Sequence, residues 1–208
     1  MKILTCPAQL QRLEGILRKS LPLALPVFGA VLNINRGNPG QFEVLVDKWP
    51  EFGAVLARPS GEVASGDMGH CRRAEFVGPW GHWEALGLVL GMLGAGLGYW
   101  ARWKQGSGPA PGVRIGSLSP SHVDLLNETW PYGGNARSRR YLAEILGRFP
   151  QVCLQDSSGQ PIAWVLTDHF GTGTHSYTLP EHRRHGHMQV ALTVAAQRAQ
   201  ARGFPTFG

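Results

Sequence analysis

Cysteine is scarce in this sequence. Only three cysteines, Cys6, Cys71 and Cys153, occur among 208 residues, and they lie far apart along the chain. An odd number at these spacings fits neither a disulfide framework nor a zinc-binding pattern, so the small disulfide-rich secreted class is excluded and a reducing compartment is favoured. The first 21 residues also lack a long apolar core followed by a small-residue cleavage site, and we therefore expect no secretory signal.

Acidic residues are outnumbered by basic ones. The chain has 14 Asp and Glu against 20 Lys and Arg, which gives a net charge of +6 and a pI near 9.7. This balance suits an anionic ligand, a nucleic acid or an anionic membrane. The basic residues are scattered along the chain, however, and no aromatic-interleaved RNA-binding motif is present, so we expect no nucleic-acid partner.

Runs of more than sixteen uncharged residues are missing except for residues 85–101, a run of seventeen that tryptophans flank. Two Gly-x-x-x-Gly spacings in this run give the outline of a membrane helix. Its length is at the lower limit of a span, and its five glycines weaken both hydrophobicity and helix propensity. A buried or surface-associated helix, or a segment without selected structure, is therefore favoured over a span, and membrane association is not the preferred interpretation.

The sequence divides into three regions. Residues 1–59 begin with an amphipathic helix that ends before Pro22 and continue with three strand-like runs, which short turns would join into an antiparallel meander. These runs are residues 27–35, 42–47 and 53–58. Residues 60–112 are rich in glycine and proline and are predicted to form an irregular or linker region. Residues 113–208 form a C-terminal domain.

The C-terminal region predicts the order β-α-α-β-β-β-α. Ser119 and Pro120 are typical of the start of a first helix, Asn135 is the predicted N-cap of the second, and Pro150 ends it. The predicted strands are residues 113–118, 152–155, 161–168 and 174–179, and a last helix follows from residue 189.

The stretch 177–188 joins the last strand to the last helix, and it predicts an anion site. The strand stops at Pro180, Arg183 and Arg184 form a basic turn, and the first turn of any helix has backbone N–H groups without an internal partner. The helix dipole adds positive potential, and Gly186, which lacks a Cβ atom, lets a bulky anion approach the backbone. We therefore predict a phosphate or pyrophosphate cradle; a solvated arginine-rich turn is the alternative.

Residues 180–188, Pro-Glu-His-Arg-Arg-His-Gly-His-Met, resemble the coenzyme A loop of the GNAT acyltransferase superfamily. Arg183 and Gly186 stand at two positions of its Arg/Gln-x-x-Gly-x-Gly/Ala signature, and Met188 departs from the third. Longer stretches resemble the glycine N-acyltransferase-like family. This resemblance covers residues 1–59 and 116–208, and its main matches are residues 29–39, 44–50, 177–184 and 202–205.

The resemblance implies an α+β fold in which a GNAT-like mixed sheet with flanking helices follows a small α+β half-domain. In the family, the residues that match 202–205 lead into another strand, a helix and a final hairpin, whereas this sequence stops at Gly208. The fold is therefore expected to be incomplete at the C-terminus. A truncated form with weak or no activity, acting at most as a coenzyme A-binding or interaction module, is the alternative to a working enzyme.

The activity that the resemblance implies is transfer of an acyl group from coenzyme A to the amino group of a small amino acid, such as glycine or glutamine. The co-substrate is then acyl-CoA, and the expected compartment is the mitochondrion, with the cytoplasm or the endoplasmic reticulum as alternatives. No metal is expected, because His182, His185 and His187 have no acid or cysteine at a recognised ligand spacing.

The resemblance also assigns binding residues. Backbone N–H groups and the Arg183 side chain would hold the pyrophosphate, and a free N–H on the strand 174–179 would polarise the thioester carbonyl. The predicted coenzyme A-binding residues are Tyr177, Leu179, Arg183, Arg184, His185, Gly186, His187 and Met188.

The residue that deprotonates the amino group departs from the family pattern. A glutamate that several members carry corresponds by position to Thr172, which cannot act as a base near neutral pH without help. His175, or His169 nearby, can relay the proton instead, while an ordinary strand histidine is the alternative. We therefore predict His175 and Thr172 as the catalytic residues.

Overall fold

The structure is a computed structural model, and it describes residues 1–61, 74–77 and 108–205. The chain divides into two compact units: Met1–Ala95 with His169–Gly171, and Gly96–Asp168 with Thr172–Gly208. The apolar run 85–101 lies outside the described residues, so the interpretations offered for it stay predictions. Within the described residues, no helix is long and apolar enough to cross a bilayer.

The first unit begins with the short strand β1 (Lys2–Leu4) and two helices, α1 (Pro7–Lys19) and α2 (Leu25–Asn35). The predicted amphipathic helix is confirmed as α1, which starts at a proline and ends with two basic residues near the negative end of its dipole. Leu10, Leu13 and Leu17 form its buried stripe, and the helix packs against α2.

The prediction of a strand at residues 27–35 is wrong, because these residues belong to α2. Eight residues of α2 are buried, so the run has no polar face whose spacing would reveal a helix. A short apolar run of this kind cannot be assigned by periodicity alone. Two other signals favoured a helix: Pro26 stands at its first turn, and 11 residues exceed the length of an ordinary strand.

The first sheet has the order β1-β2-β3-β4, with β2 at Phe42–Val46, β3 at Ala54–Pro59 and β4 at Ala74–Val77. All three pairs are antiparallel, which confirms the meander predicted for residues 42–47 and 53–58. The sequence did not predict β1, which has three residues, or β4, which lies in the glycine- and proline-rich region. Both strands are defined by pairing with β2 and β3 rather than by a local pattern.

His169–Gly171 pack inside the first unit although their neighbours along the chain belong to the second. The Asn33 side chain, which is buried, donates from Nδ2 to the carbonyl oxygen of His169 at 2.9 Å. The His169 ring stacks on Phe42 with a centroid separation of 5.0 Å. A Cβ atom at Gly29 would overlap the carbonyl oxygen of Phe170, so only glycine allows this approach of backbone to α2.

The second unit contains β5 (Arg114–Gly116), α3 (Val123–Thr129) and α4 (Ala136–Arg148). Ser119 caps a single 3₁₀ turn that leads into α3, and its N–H donates to His122 Nδ1 at 2.9 Å. Asn135 caps α4 as predicted, because its Oδ1 accepts from the Ser138 N–H at 2.9 Å. Pro150 follows the last residues of α4.

The second sheet has the order β5-β6-β7-β8, followed by the helix α5 (His187–Ala201). The other strands are β6 at Gln151–Gln155, β7 at Pro161–Thr167 and β8 at Gly173–Thr178. Alternate side chains of β7 pack into two cores: Trp164 and Leu166 pack with α3 and α4, whereas Ala163 and Val165 pack with α5 on the other face. The order β-α-α-β-β-β-α is confirmed.

The α+β class is confirmed, with two sheets and flanking helices. The mixed sheet that the resemblance implies differs from what is seen, since every strand pair of the described residues is antiparallel. In each sheet the strands are ordered as along the chain. Short turns join β2 to β3, β6 to β7 and β7 to β8, and two helices lie between β1 and β2 and between β5 and β6.

Candidate functional site

The junction between β8 and α5 forms the corner that the sequence predicts. The Leu179 N–H donates to the Ile162 carbonyl at 3.0 Å, which extends the pairing of β8 just past its end. A 3₁₀ turn at Pro180–His182 then redirects the chain, and Gly186 precedes the first residue of α5. Residues 177–188 therefore leave the sheet at a proline and enter a helix within a few residues.

Backbone N–H groups line this corner. The backbone N–H groups of residues 184–189 have no hydrogen-bond acceptor among the described residues. The first hydrogen bond of the helix runs from the Val190 N–H to the Gly186 carbonyl. Arg184 and Gly186 have left-handed φ values of +67° and +76°. Turns with left-handed residues are found where successive backbone N–H groups bind an anion, and the helix dipole adds positive potential at this one.

Arg183 is fixed against the end of β8. Its Nε donates to the Thr178 carbonyl at 3.1 Å, and one terminal nitrogen donates to the Tyr177 hydroxyl at 3.2 Å. The guanidinium also lies over the Tyr177 ring, 5.4 Å from its centroid. A guanidinium has five N–H donors, so Arg183 is oriented by two of them and retains others for an anion. Arg184 is exposed beside it.

Three imidazoles surround the start of α5. The His187 ring centroid lies 5.7 Å from that of His185 and 6.2 Å from that of His182. Burial lowers the pKa of His187, and the nearby His185 and His182 lower it further. Among residues 1–61, 74–77 and 108–205, no group of three His, Cys, Asp or Glu side chains is arranged to hold a metal.

Leu179 and Met188 pack against the two cores. The Leu179 side chain packs against the core on the α3–α4 side of the sheet, and Met188 packs against the core under α5. Both side chains are half-buried. Met188, which departs from the Gly or Ala of the signature, therefore places a half-buried side chain against the core under α5.

His175 lies in the middle of β8, at a β-bulge. Val165 of β7 stands opposite two residues of β8, His175 and Ser176, and His175 has a left-handed φ of +43°. The His175 ring is 7% exposed, and its Nε2 lies 2.6 Å from the Leu126 carbonyl oxygen. Burial lowers the pKa of His175, and the bond to Leu126 acts in the opposite direction.

Thr172 lies in the turn before β8. Its N–H donates to Asp168 Oδ1 at 2.9 Å, and its carbonyl accepts from the Asp168 N–H at 3.1 Å. The structure thus brings Tyr177, Arg183 and the basic turn together at one end of β8, and it leaves Thr172 at the other. The catalytic assignments of Thr172 and His175 stay predictions.

Sequence reasoning missed a series of aromatic rings beside the bulge. Trp130 stacks on Tyr141 at 5.7 Å and on His175 at 5.8 Å, and Trp164 stacks on Tyr177 at 5.5 Å. Trp164 is fully buried, and its Nε1 has no acceptor among the described residues. The ring contacts join residues far apart along the chain, so no local spacing could have revealed them.

The fold and the corner together define a candidate anion-binding protein of the α+β class. The sequence model of the aralkyl acyl-CoA:amino acid N-acyltransferase family matches residues 1–77 and 100–150, and that of the family's C-terminal region matches residues 152–208. The chain therefore belongs to the aralkyl acyl-CoA:amino acid N-acyltransferase family, which uses acyl-CoA as co-substrate. The resemblance seen in the sequence is confirmed.

Similarities to individual relatives agree with this family assignment. The chain is 29% identical to glycine N-acyltransferase of Bos taurus, an alignment that covers 100% of this chain and 88% of the relative. It is 31% identical to glycine N-acyltransferase-like protein Keg1 of Mus musculus, covering 95% and 85%. A solved Drosophila structure superposes with a TM-score of 0.61 over 99% of this chain and 86% of the other, at 13% identity, which supports the fold alone.

Proposed function

We propose that the chain is an acyl-CoA-dependent N-acyltransferase that conjugates an acyl group to the amino group of a small amino acid, such as glycine or glutamine. Family membership supports the reaction class, and relatives named glycine N-acyltransferase support the acceptor. The observation that carries the proposal is the corner between β8 and α5, whose donors suit the pyrophosphate of coenzyme A. A mitochondrial location, or a cytoplasmic or endoplasmic reticulum one, stays a prediction.

The arrangement of the second unit supports a GNAT-like domain. Its order β-α-α-β-β-β-α and the anion corner after β8 correspond to the features that the sequence resemblance implies, and the bulge of β8 lies on the strand where the resemblance implies a free N–H. In this arrangement the pyrophosphate lies at the N–H groups of residues 184–188, with Arg183 as a charged partner. Tyr177 acts by holding the Arg183 guanidinium in place.

The chemistry needs one polarised carbonyl and the removal of two protons from the acceptor nitrogen. The ammonium first loses one proton to solvent through a base, and the neutral amine attacks the thioester carbon, whose carbonyl oxygen becomes an oxyanion. Collapse then expels the coenzyme A thiolate, and the second proton of the nitrogen ends on that thiolate as the amide forms. A bulge leaves one residue of its strand outside the hydrogen-bond ladder, so the β8 bulge can offer an N–H to the oxyanion.

A second candidate function is coenzyme A binding without turnover. It is favoured by the two predicted catalytic residues, since Thr172 has no group that titrates near pH 7 and the Nε2 of His175 is already engaged with Leu126. In this case the corner holds coenzyme A, and the unit acts as a binding or interaction module. The two candidates differ only in whether product forms.

The test combines product detection with a binding measurement. The chain is incubated with alkyl and aralkyl acyl-CoAs and with glycine or glutamine, and N-acyl amino acids are sought by mass spectrometry. Product formation supports the transferase. Binding of coenzyme A without product across this panel supports the module, and absence of both contradicts the two candidates together.

The first variant is Arg183→Ala. We expect its affinity for coenzyme A to fall about tenfold or more, because a hydrogen bond to a charged group contributes about 1.5–3 kcal/mol. Arg140→Ala is the matched control, since Arg140 is exposed on α4 and remote in sequence from the corner. Isothermal titration calorimetry gives both affinities, and equal affinities for the two variants would remove Arg183 from the site.

A further inference from the structure

The His175 side chain forms a hydrogen bond with a backbone carbonyl near the C-terminal end of the helix α3. Leu126 is the fourth residue from the end of α3, so its carbonyl is one of the four that a helix leaves without an intrahelical partner. Thr129 approaches the same oxygen only at 3.3 Å, whereas His175 Nε2 lies at 2.6 Å. A carbonyl oxygen can only accept, so Nε2 carries the hydrogen and donates it. His175 therefore caps α3 from a neighbouring strand.

The ring is also held on its faces and edge. Trp130, the residue that follows α3, stacks on it with an interplanar angle of 22°, and Trp164 of β7 meets it at 84° with centroids 6.1 Å apart. Leu126 and Trp164 both belong to the core under α3 and α4. A ring clamped in this way has one orientation, and the backbone to which it is attached is the bulge of β8.

We propose that His175 is a positioning residue that locks the β8 bulge to the end of α3, and thereby fixes the direction of the backbone N–H groups at the bulge. This inference rests on the proposed function, because the bulge matters for catalysis only if the thioester carbonyl lies beside it. The left-handed φ of His175 contributes to this positioning. The backbone conformation is uncommon outside glycine, and the hydrogen bond to Leu126 retains it.

A positioning role differs from the proton relay predicted from the sequence. A relay must exchange a proton with the acceptor ammonium, and the resulting imidazolium would be buried among Leu126, Trp130 and Trp164. Its Nε2–H would also have to stay with the Leu126 carbonyl while the other nitrogen titrates. The burial that makes His175 a good clamp therefore makes it a poor base.

Two substitutions separate the roles. Gln reaches as far as the His Nε2 and supplies an amide N–H to Leu126 but cannot accept and release a proton near pH 7. Leu fills space and supplies no donor. For His175→Gln we expect kcat within about threefold of wild type and an unchanged acid limb of the pH–rate profile, whereas His175→Leu loses about 100-fold in kcat with little change in KM for acyl-CoA.

The contrary result is a loss of about 100-fold or more in kcat for His175→Gln, with the acid limb of the profile gone, as removal of a general base predicts. If the variants fail to fold, a measurement on the unaltered chain still tests the proposal. Nitrogen-15 NMR of the imidazole should show the Nε2–H tautomer at neutral pH and a titration midpoint below the ordinary 6.5, and an Nδ1–H tautomer or a midpoint at or above 6.5 overturns the proposal. If the chain forms no product, the transferase proposal fails, while the tautomer still decides whether His175 is the clamp.

Discussion

Single side chains with a fixed partner explain much of this molecule. Arg183 reaches back to the end of β8, Asn33 donates to a buried carbonyl, and His175 caps a helix from a strand. Each of these groups donates a hydrogen bond to a backbone carbonyl oxygen. A glycine can be required in the same way, at a position where another part of the chain occupies the space that a side chain would need.

A prediction at this scale concerns Gly29 in α2. A Cβ atom there would overlap the carbonyl oxygen of Phe170, so Gly29→Ala should lower the free energy of unfolding by about 1–3 kcal/mol through overpacking. Gly15→Ala in α1 is the control, because nothing lies within 4 Å of its added Cβ and alanine favours a helix by up to about 1 kcal/mol. Urea denaturation measures both, and equal stabilisation by the two substitutions would refute the close approach.

Elements with a local signature were predictable. The stripe of α1, the caps Ser119 and Asn135 and the proline at the end of β8 each depend on neighbours along the chain, and each is confirmed. The strand predicted at residues 27–35 failed because a helix buried on every side has no periodic pattern. The β8 bulge and the rings around His175 depend on register and on long-range contacts, which no spacing in the sequence encodes.

Two histidines with lowered pKa values, His175 at the junction of α3 with β8 and His187 at the start of α5, predict a pH dependence of stability. The pKa values of His175 and His187 lie below the ordinary 6.5 in the folded state, so the unfolded chain binds more protons in the window below that value. The free energy of unfolding should therefore be highest above pH 7 and fall as the pH is lowered through about 6.5. The lowered pKa values of Asp47, Asp124 and Asp156 act in a separate window, below pH 4.

The measurement is urea denaturation between pH 5 and 8, in the unaltered chain and in His175→Gln. The variant should show a shallower fall below pH 6.5, because Gln does not titrate, and the remaining slope belongs partly to His187. A profile of the variant that is as steep as that of the unaltered chain would mean that His175 keeps an ordinary pKa in the folded protein.

At the scale of the whole molecule, the net charge and the family membership both indicate an anionic ligand. A net charge of +6 favours an anionic partner, and the family takes acyl-CoA, whose phosphates provide that charge. The family matches span both units of the chain, whereas the candidate coenzyme A corner lies wholly in the second. The central claim is that the amide-lined corner from Arg183 to Met188 holds the pyrophosphate.

Titration of the nitrogen-15-labelled chain with coenzyme A, followed by amide NMR, tests that claim most directly. The account predicts that the largest shift changes occur at the amides of residues 184–188 and at the side chain of Arg183. Pantetheine, which lacks the pyrophosphate, should leave those amides unchanged at the same concentration. Shift changes that are centred outside the corner, or equal at the corner for both ligands, would contradict the account.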